Sequence, residues 1–117
     1  MAPRALLLKL PFPPSVNACW RAKGRSVYLT PVAREYRVSV ANAVGEVEPL
    51  VGRLKVHMTA TMPDRRKRDI DNYTKSAIDA LEQAGVFCES DEQIDYLTIE
   101  RAGVEKPGRL EVIIWEL

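Results

Sequence analysis

The chain has 117 residues, 46% hydrophobic and 28% charged, with a formal net charge of +1. That length fits one domain, 1–117, with a modest core and the balance of a soluble globular protein, and the near-zero charge excludes capture of a polyanion by bulk charge alone. No apolar run approaches the ~20 residues of a membrane span, and "ALLL" is shorter than the ~7 residues of a signal-peptide core, so no membrane association is expected.

"RALLLKLPF" (4–12) reads as a strand in which Leu6, Leu8 and Leu10 alternate. Residues 13–26 read as a proline-rich loop with Gly24 and the cations Arg21, Lys23 and Arg25. Cys19, in this loop, and Cys88 lie far apart in no CxxC pattern, which argues against a disulfide scaffold or zinc ribbon and suits the reducing cytoplasm. "SVYLT" predicts a short strand. Thr30–Pro31 is a helix start, a hydroxyl N-cap followed by proline at the first helical position, and the helix should run to about Val47. "GRLKVHMTATMP" (52–63) is the clearest strand, with Leu54, Val56, Met58 and Ala60 on one face. His57, the lone histidine, belongs to that strand and reads as structural. A second helix should begin at Asp69 or Asp71 and stop at Gly85, with Ile70, Ala77, Ile78, Leu81 and Ala84 as its buried stripe. "VFCESDEQ" reads as a loop. "IDYLTIERA" predicts a strand with Ile94, Tyr96 and Thr98 opposite Asp95, Leu97 and Ile99; "EKPGR" a turn; and "LEVIIWEL" a final strand. The order predicts an α+β fold: a small mixed sheet of four or five strands with two helices packed on one face.

Between the central strand and the second helix stands "MPDRRKRDIDN" (62–72), where four cations, Arg65, Arg66, Lys67 and Arg68, abut two carboxylates, Asp69 and Asp71. Taken singly these features are ordinary. Arginine runs are usually solvated loops, and carboxylates at a helix start serve as caps. Asp71, Lys75 and Asp79, spaced four apart on one helix face, form a ladder of ion pairs worth ~0.3–0.5 kcal/mol each. Taken together they suggest more. Asp69 and Asp71 sit at a loop-to-helix junction, where the backbone can aim both at one point, and a further acidic run, Glu89 to Asp95, follows the same helix. Oxygen ligands without a histidine suit Mg²⁺, with Mn²⁺ as a substitute, rather than zinc. The cations would neutralise phosphates beside such a metal.

"MPDRRKRDIDNYTKSAIDALEQAGVF", followed by "DEQIDY" and "GRLEVII", resembles the RusA family of Holliday junction resolvases, and the opening "LPFPPSVN" resembles that family's proline-rich start with its asparagine. The match runs through most of the chain in the same order. Between residues 18 and 60 only a loosely basic loop and an "EYR" correspond. The resemblance implies a homodimeric, Mg²⁺-dependent endonuclease that cuts four-way DNA junctions and needs no small-molecule cofactor. By position it implies that Asp69, Asp71 and Asp91 are metal ligands and that Lys75 joins them in catalysis. Arg65 to Arg68, with Asn17, Lys23 and Arg25, would contact DNA. The family often carries adjacent aspartates after the helix, where this chain has Glu89, Ser90, Asp91 and Glu92. Asp91 is chosen over Glu89 and Glu92 for its distance from Gln93. The dimer contact is expected on exposed apolar surface of a strand or the first helix. Three rival readings are a non-catalytic junction-binding module, a metal-dependent nuclease for other branched DNA, and a small structural or adaptor protein, which would leave the basic run unexplained.

Overall fold

The strands follow from alternation. In a computed structural model, which describes residues 3–117, a four-stranded sheet is built from β1 (Ala5–Pro11), β4 (Leu54–Met62), β5 (Ile94–Val104) and β6 (Arg109–Glu116), in the order β1-β6-β4-β5. β6 is antiparallel to both β1 and β4, whereas β4 and β5 run parallel. The parallel pair is joined through a helical crossover, as parallel strands require. The central β4 buries Leu54, Val56, Met58, Ala60 and Met62 on one face, and β6 adds Leu110, Val112 and Ile114. Two helices cover that face: α2 (Pro31–Val44), through Tyr36 and Val40, and α3 (Thr74–Gln83), through Ala77, Ile78 and Leu81. The expected mixed α+β sheet with two helices is therefore present, with four strands.

Several boundaries differ from expectation. Residues 13–26 are not all loop. They hold a one-turn helix, α1 (Val16–Cys19), and the strand β2 (Trp20–Lys23), which pairs antiparallel with β3 (Ser26–Leu29) in a separate ribbon turning at Gly24–Arg25. Gly24 sits at φ +60°, as a two-residue hairpin turn requires. β2 is exposed along its length, and its four residues, Trp20 to Lys23, are too short a run for alternation to identify a strand. α2 stops at Val44 rather than Val47 because Gly45 adopts φ +64° and its N–H closes on the Ala41 carbonyl at 2.9 Å. Its start is as expected, with the Thr30 side chain accepting from the Ala33 N–H. β5 carries a register shift between its pairings with Leu54 and Lys55. Asp95 is the extra residue, so Ile94 packs against the core rather than sharing a face with Tyr96 and Thr98.

Gly108 is a tight point beneath the exit of β4. It holds φ +85°, and a Cβ there would lie 2.9 Å from the Pro63 nitrogen, 3.0 Å from the Thr61 oxygen and 3.1 Å from the Phe12 Cβ. Gly108→Ala should therefore lower unfolding free energy by more than ~2 kcal/mol, since backbone clash adds to the ~1–2 kcal/mol left-handed penalty. Urea denaturation checks this, and an unchanged midpoint would contradict the close approach.

Candidate active site

The predicted second helix is two pieces. Ile70–Asn72 form a 3₁₀ turn, Tyr73 follows as the N-cap of α3 with φ −110° and ψ −17°, and α3 proper begins at Thr74. The expected face of Asp71, Lys75 and Asp79 is therefore not one continuous ladder. Lys75 Nζ pairs with Asp79 Oδ1 at 3.0 Å, while Asp71 lies in the separate turn. The break is held by packing. Tyr73 is buried, its ring 4.9 Å from that of Phe12, and the Ser76 hydroxyl donates to the Pro14 carbonyl at 2.6 Å. The proline-rich opening thus packs directly on the start of α3. Asn17 follows in α1, with its side chain exposed.

Asp69, at the N-cap position of the 3₁₀ turn, and Asp71 within it are both exposed, and among the described residues neither carboxylate takes a hydrogen bond or ion pair. Asp69 makes no side-chain cap bond. Capping thus leaves both carboxylates unexplained.

Asp91 is brought to α3 from the far end of the helix. It opens a second 3₁₀ turn, Asp91–Gln93, and its Oδ2 lies 3.5 Å from Lys75 Nζ. Lys75 therefore stands between two carboxylates, Asp79 and Asp91. These raise its pKa, Asp79 most strongly, so the ammonium is held charged. One oxygen each from Asp79, Glu82 and Asp91 falls within 4.8 Å of the others. This donor set is all oxygen, and His57 lies on the opposite sheet face bonded to Thr98 and Glu100. The chemistry fits a hard divalent cation, not zinc. Asp79 and Glu82 were missed as members of this cluster. Asp79 was legible only as an ion-pair partner, and Glu82 lies one turn further along the same face. Neither Glu89 nor Glu92 joins the group. Glu92 is turned away, paired with Arg53 at 3.1 Å.

The basic run is not uniform. The Asp64 carboxylate accepts from the Arg66 N–H at 3.0 Å and grips the Arg68 guanidinium through both oxygens, at 3.0 Å for Nη2–Oδ2. These contacts, the Arg68 hydrogen bond first, hold Asp64 well below the usual carboxylate range. Arg68 is mostly covered, lies 5.8 Å over the Phe12 ring, and its carbonyl accepts from Arg101 at 2.7 Å. Arg68 is thus a brace. The Arg66 side chain also leans on Asp64, at 3.5 Å, but remains largely exposed. Arg65 and Lys67 are exposed and have no acidic partner among the described residues. Lys23 and Arg25 project from the β2–β3 ribbon, likewise exposed and unpaired among those residues.

Comparison with known proteins gives the chain a family. The family model for Endodeoxyribonuclease RusA matches residues 11–115, which contain every residue named above as a candidate. The crossover junction endodeoxyribonuclease rusA of Enterobacteria phage HK97 is 39% identical over 112 residues, covering 92% of this chain and 92% of that protein. The corresponding protein of Escherichia coli (strain K12) is 34% identical over 113 residues, covering 94% of this chain and 93% of its own length. That of Enterobacteria phage 82 is also 34% identical, over 117 residues. With the match running from the end of β1 through β6, this chain belongs to the RusA family of endodeoxyribonucleases.

Proposed function

We propose that this chain is a divalent-metal-dependent endodeoxyribonuclease that resolves four-way DNA junctions. It acts in the cytoplasm as a homodimer that places two symmetric nicks. The observation that carries the reading is Lys75, held charged between Asp79 and Asp91 beside an all-oxygen cluster. Such a cation beside carboxylates matches the needs of phosphodiester hydrolysis. A binding module has no use for exposed acids next to its DNA-facing cations.

Asp91, with Asp69 and Asp71 as the family resemblance implies, would hold Mg²⁺, or Mn²⁺ in its place; the carboxylates that cluster with Asp91 among the described residues are Asp79 and Glu82, and neither Asp69 nor Asp71 is in that cluster. Bound there, the ion supplies Lewis acidity at a phosphate oxygen and lowers the pKa of a water. The chain's own groups do the rest. Lys75 stabilises negative charge that develops on the phosphate as water adds and the P–O ester bond breaks. Arg65 and Lys67 hold flanking phosphates, and Lys23, Arg25 and Asn17 reach more distant ones. Asp64 and Arg68 stiffen the loop between these contacts and Asp69. Two-fold symmetry supplies the pairing, because a C₂ dimer presents two identical sites to the approximately two-fold junction.

The test is a synthetic immobile junction set against a linear duplex of matched sequence, with and without Mg²⁺. Symmetric paired nicks in the junction alone, and only with metal, support the reading. Metal-indifferent binding without cutting would favour a binding module. Equal cutting of flaps and junctions would favour a broader branched-DNA nuclease.

The basic loop gives a further expected result. Arg65→Ala with Lys67→Ala should lower the slope of log affinity against log salt by roughly two, one per lost phosphate contact, with the melting temperature unchanged. Arg68→Ala should do the reverse, changing the slope little and loosening the loop by stranding Asp64. Filter binding from low to moderate salt separates them. An equal slope change for all three would show that Arg68 leaves its brace to meet DNA.

A further inference from the structure

The turn that carries Asp91 is held from two sides. Behind it, Gln93 is buried and spends its whole amide. Nε2 donates to the Leu50 and Gly52 carbonyls, both at 3.0 Å, and Oε1 accepts from Glu89 N–H at 2.8 Å and Ser90 N–H at 3.2 Å. In front, Glu82 Oε1 accepts the Asp91 main-chain N–H at 2.9 Å. Glu82 lies on α3, two helical turns beyond Lys75, so the helix that carries the ammonium also grips the backbone of the residue opposite it.

We propose that Glu82 is a positioning residue. It acts through the Asp91 amide to set the distance between the Asp91 carboxylate and Lys75, and is not itself a ligand of the metal. This rests on the proposed metal-dependent nuclease reading. The alternative is that Glu82 is a third carboxylate ligand alongside Asp79 and Asp91, with whose oxygens its own clusters. The bonding distinguishes the two. Gln93 fixes the turn to residues 50–52 but leaves the Asp91 N–H to be satisfied from α3. With Glu82 gone, that N–H loses its partner, and the turn keeps only the longer Lys75–Asp91 ion pair as its polar side-chain tie to α3 among the described residues. An error of ~1 Å in placing a reacting group costs on the order of 10²-fold in rate. A glutamine at position 82 keeps a carbonyl oxygen that accepts the same N–H, but it removes the negative charge that a cation ligand supplies.

The experiment compares wild type, Glu82→Ala and Glu82→Gln by two readouts. One is hydrogen exchange of the Asp91 amide, followed by NMR in metal-free protein. The other is single-turnover junction cleavage as a function of Mg²⁺ concentration. Glu82→Ala should speed Asp91 exchange ~10-fold or more. It should also slow cleavage ~10–100-fold, with a raised Mg²⁺ requirement. Glu82→Gln should restore both to within ~3-fold of wild type, since the acceptor is kept. A protected amide combined with cleavage as slow as in Asp91→Asn would make Glu82 a ligand and overturn the proposal. Unchanged exchange in Glu82→Ala would overturn it equally. If wild type cuts no junction at all, the nuclease reading falls. The exchange readout, which needs neither metal nor DNA, still decides whether Glu82 holds the turn.

Discussion

Asp71→Asn should abolish junction cleavage, with a fall of at least ~10²-fold in the single-turnover rate, the scale of losing one charge-stabilising group. Junction binding in the absence of metal should stay the same or tighten, because a negative charge beside the DNA is gone. The structure sharpens this expectation. The Asp71 carboxylate is exposed and takes no hydrogen bond or ion pair among the described residues. Its replacement by an isosteric amide therefore disturbs no contact, and the unfolding free energy should change by no more than the ~0.5 kcal/mol of an ordinary surface substitution. A large catalytic loss with an unchanged fold is hard to assign to anything but chemistry. Near wild-type cutting by Asp71→Asn would remove Asp71 from the site.

Lys75 offers the second large effect. As a helix ion-pair partner it contributes a few tenths of a kcal/mol through Asp79, and its substitution would be almost silent. As the cation facing the scissile phosphate, its loss in Lys75→Ala should slow single-turnover cleavage ~10²-fold or more. Lys75→Arg separates the two roles. Arginine preserves the charge and can still pair with Asp79, but its planar fork differs in reach from a compact ammonium. A catalytic Lys75 implies partial or full loss in Lys75→Arg, whereas an ion-pair Lys75 implies none. Wild-type rates in both variants would leave only carboxylates in the site.

The residues that were legible in the sequence are those whose role is periodic or local. Leu54, Val56, Met58 and Ala60 announced β4 by alternation, and Thr30–Pro31 announced the start of α2 by capping chemistry. The division into a 3₁₀ turn and α3 on either side of Tyr73 was not legible, because the Tyr73 ring packs at a tilt on Phe12, 61 positions away in the chain, and helical periodicity treats Tyr73 as one more residue. The same limit hid the division of labour in the basic run. Four adjacent cations look alike in sequence. Which one is a brace depends on Asp64 curling back to Arg68 and on Arg101 arriving from β5. Asp91 was found through the resemblance and its spacing from Gln93. Glu82 was not found, because its role depends on a main-chain N–H that has no signature in sequence.

The most direct test of where the metal sits is paramagnetic line broadening by substoichiometric Mn²⁺ in NMR spectra of the protein without DNA. Broadening is expected first at Asp69, Asp71, Lys75, Asp79 and Asp91, displaced by excess Mg²⁺ and much reduced in Asp71→Asn and Asp91→Asn. Broadening centred elsewhere, for instance on the exposed Glu46 and Glu48 beyond α2, and unchanged in both variants, would contradict the assignment of these carboxylates as the metal site.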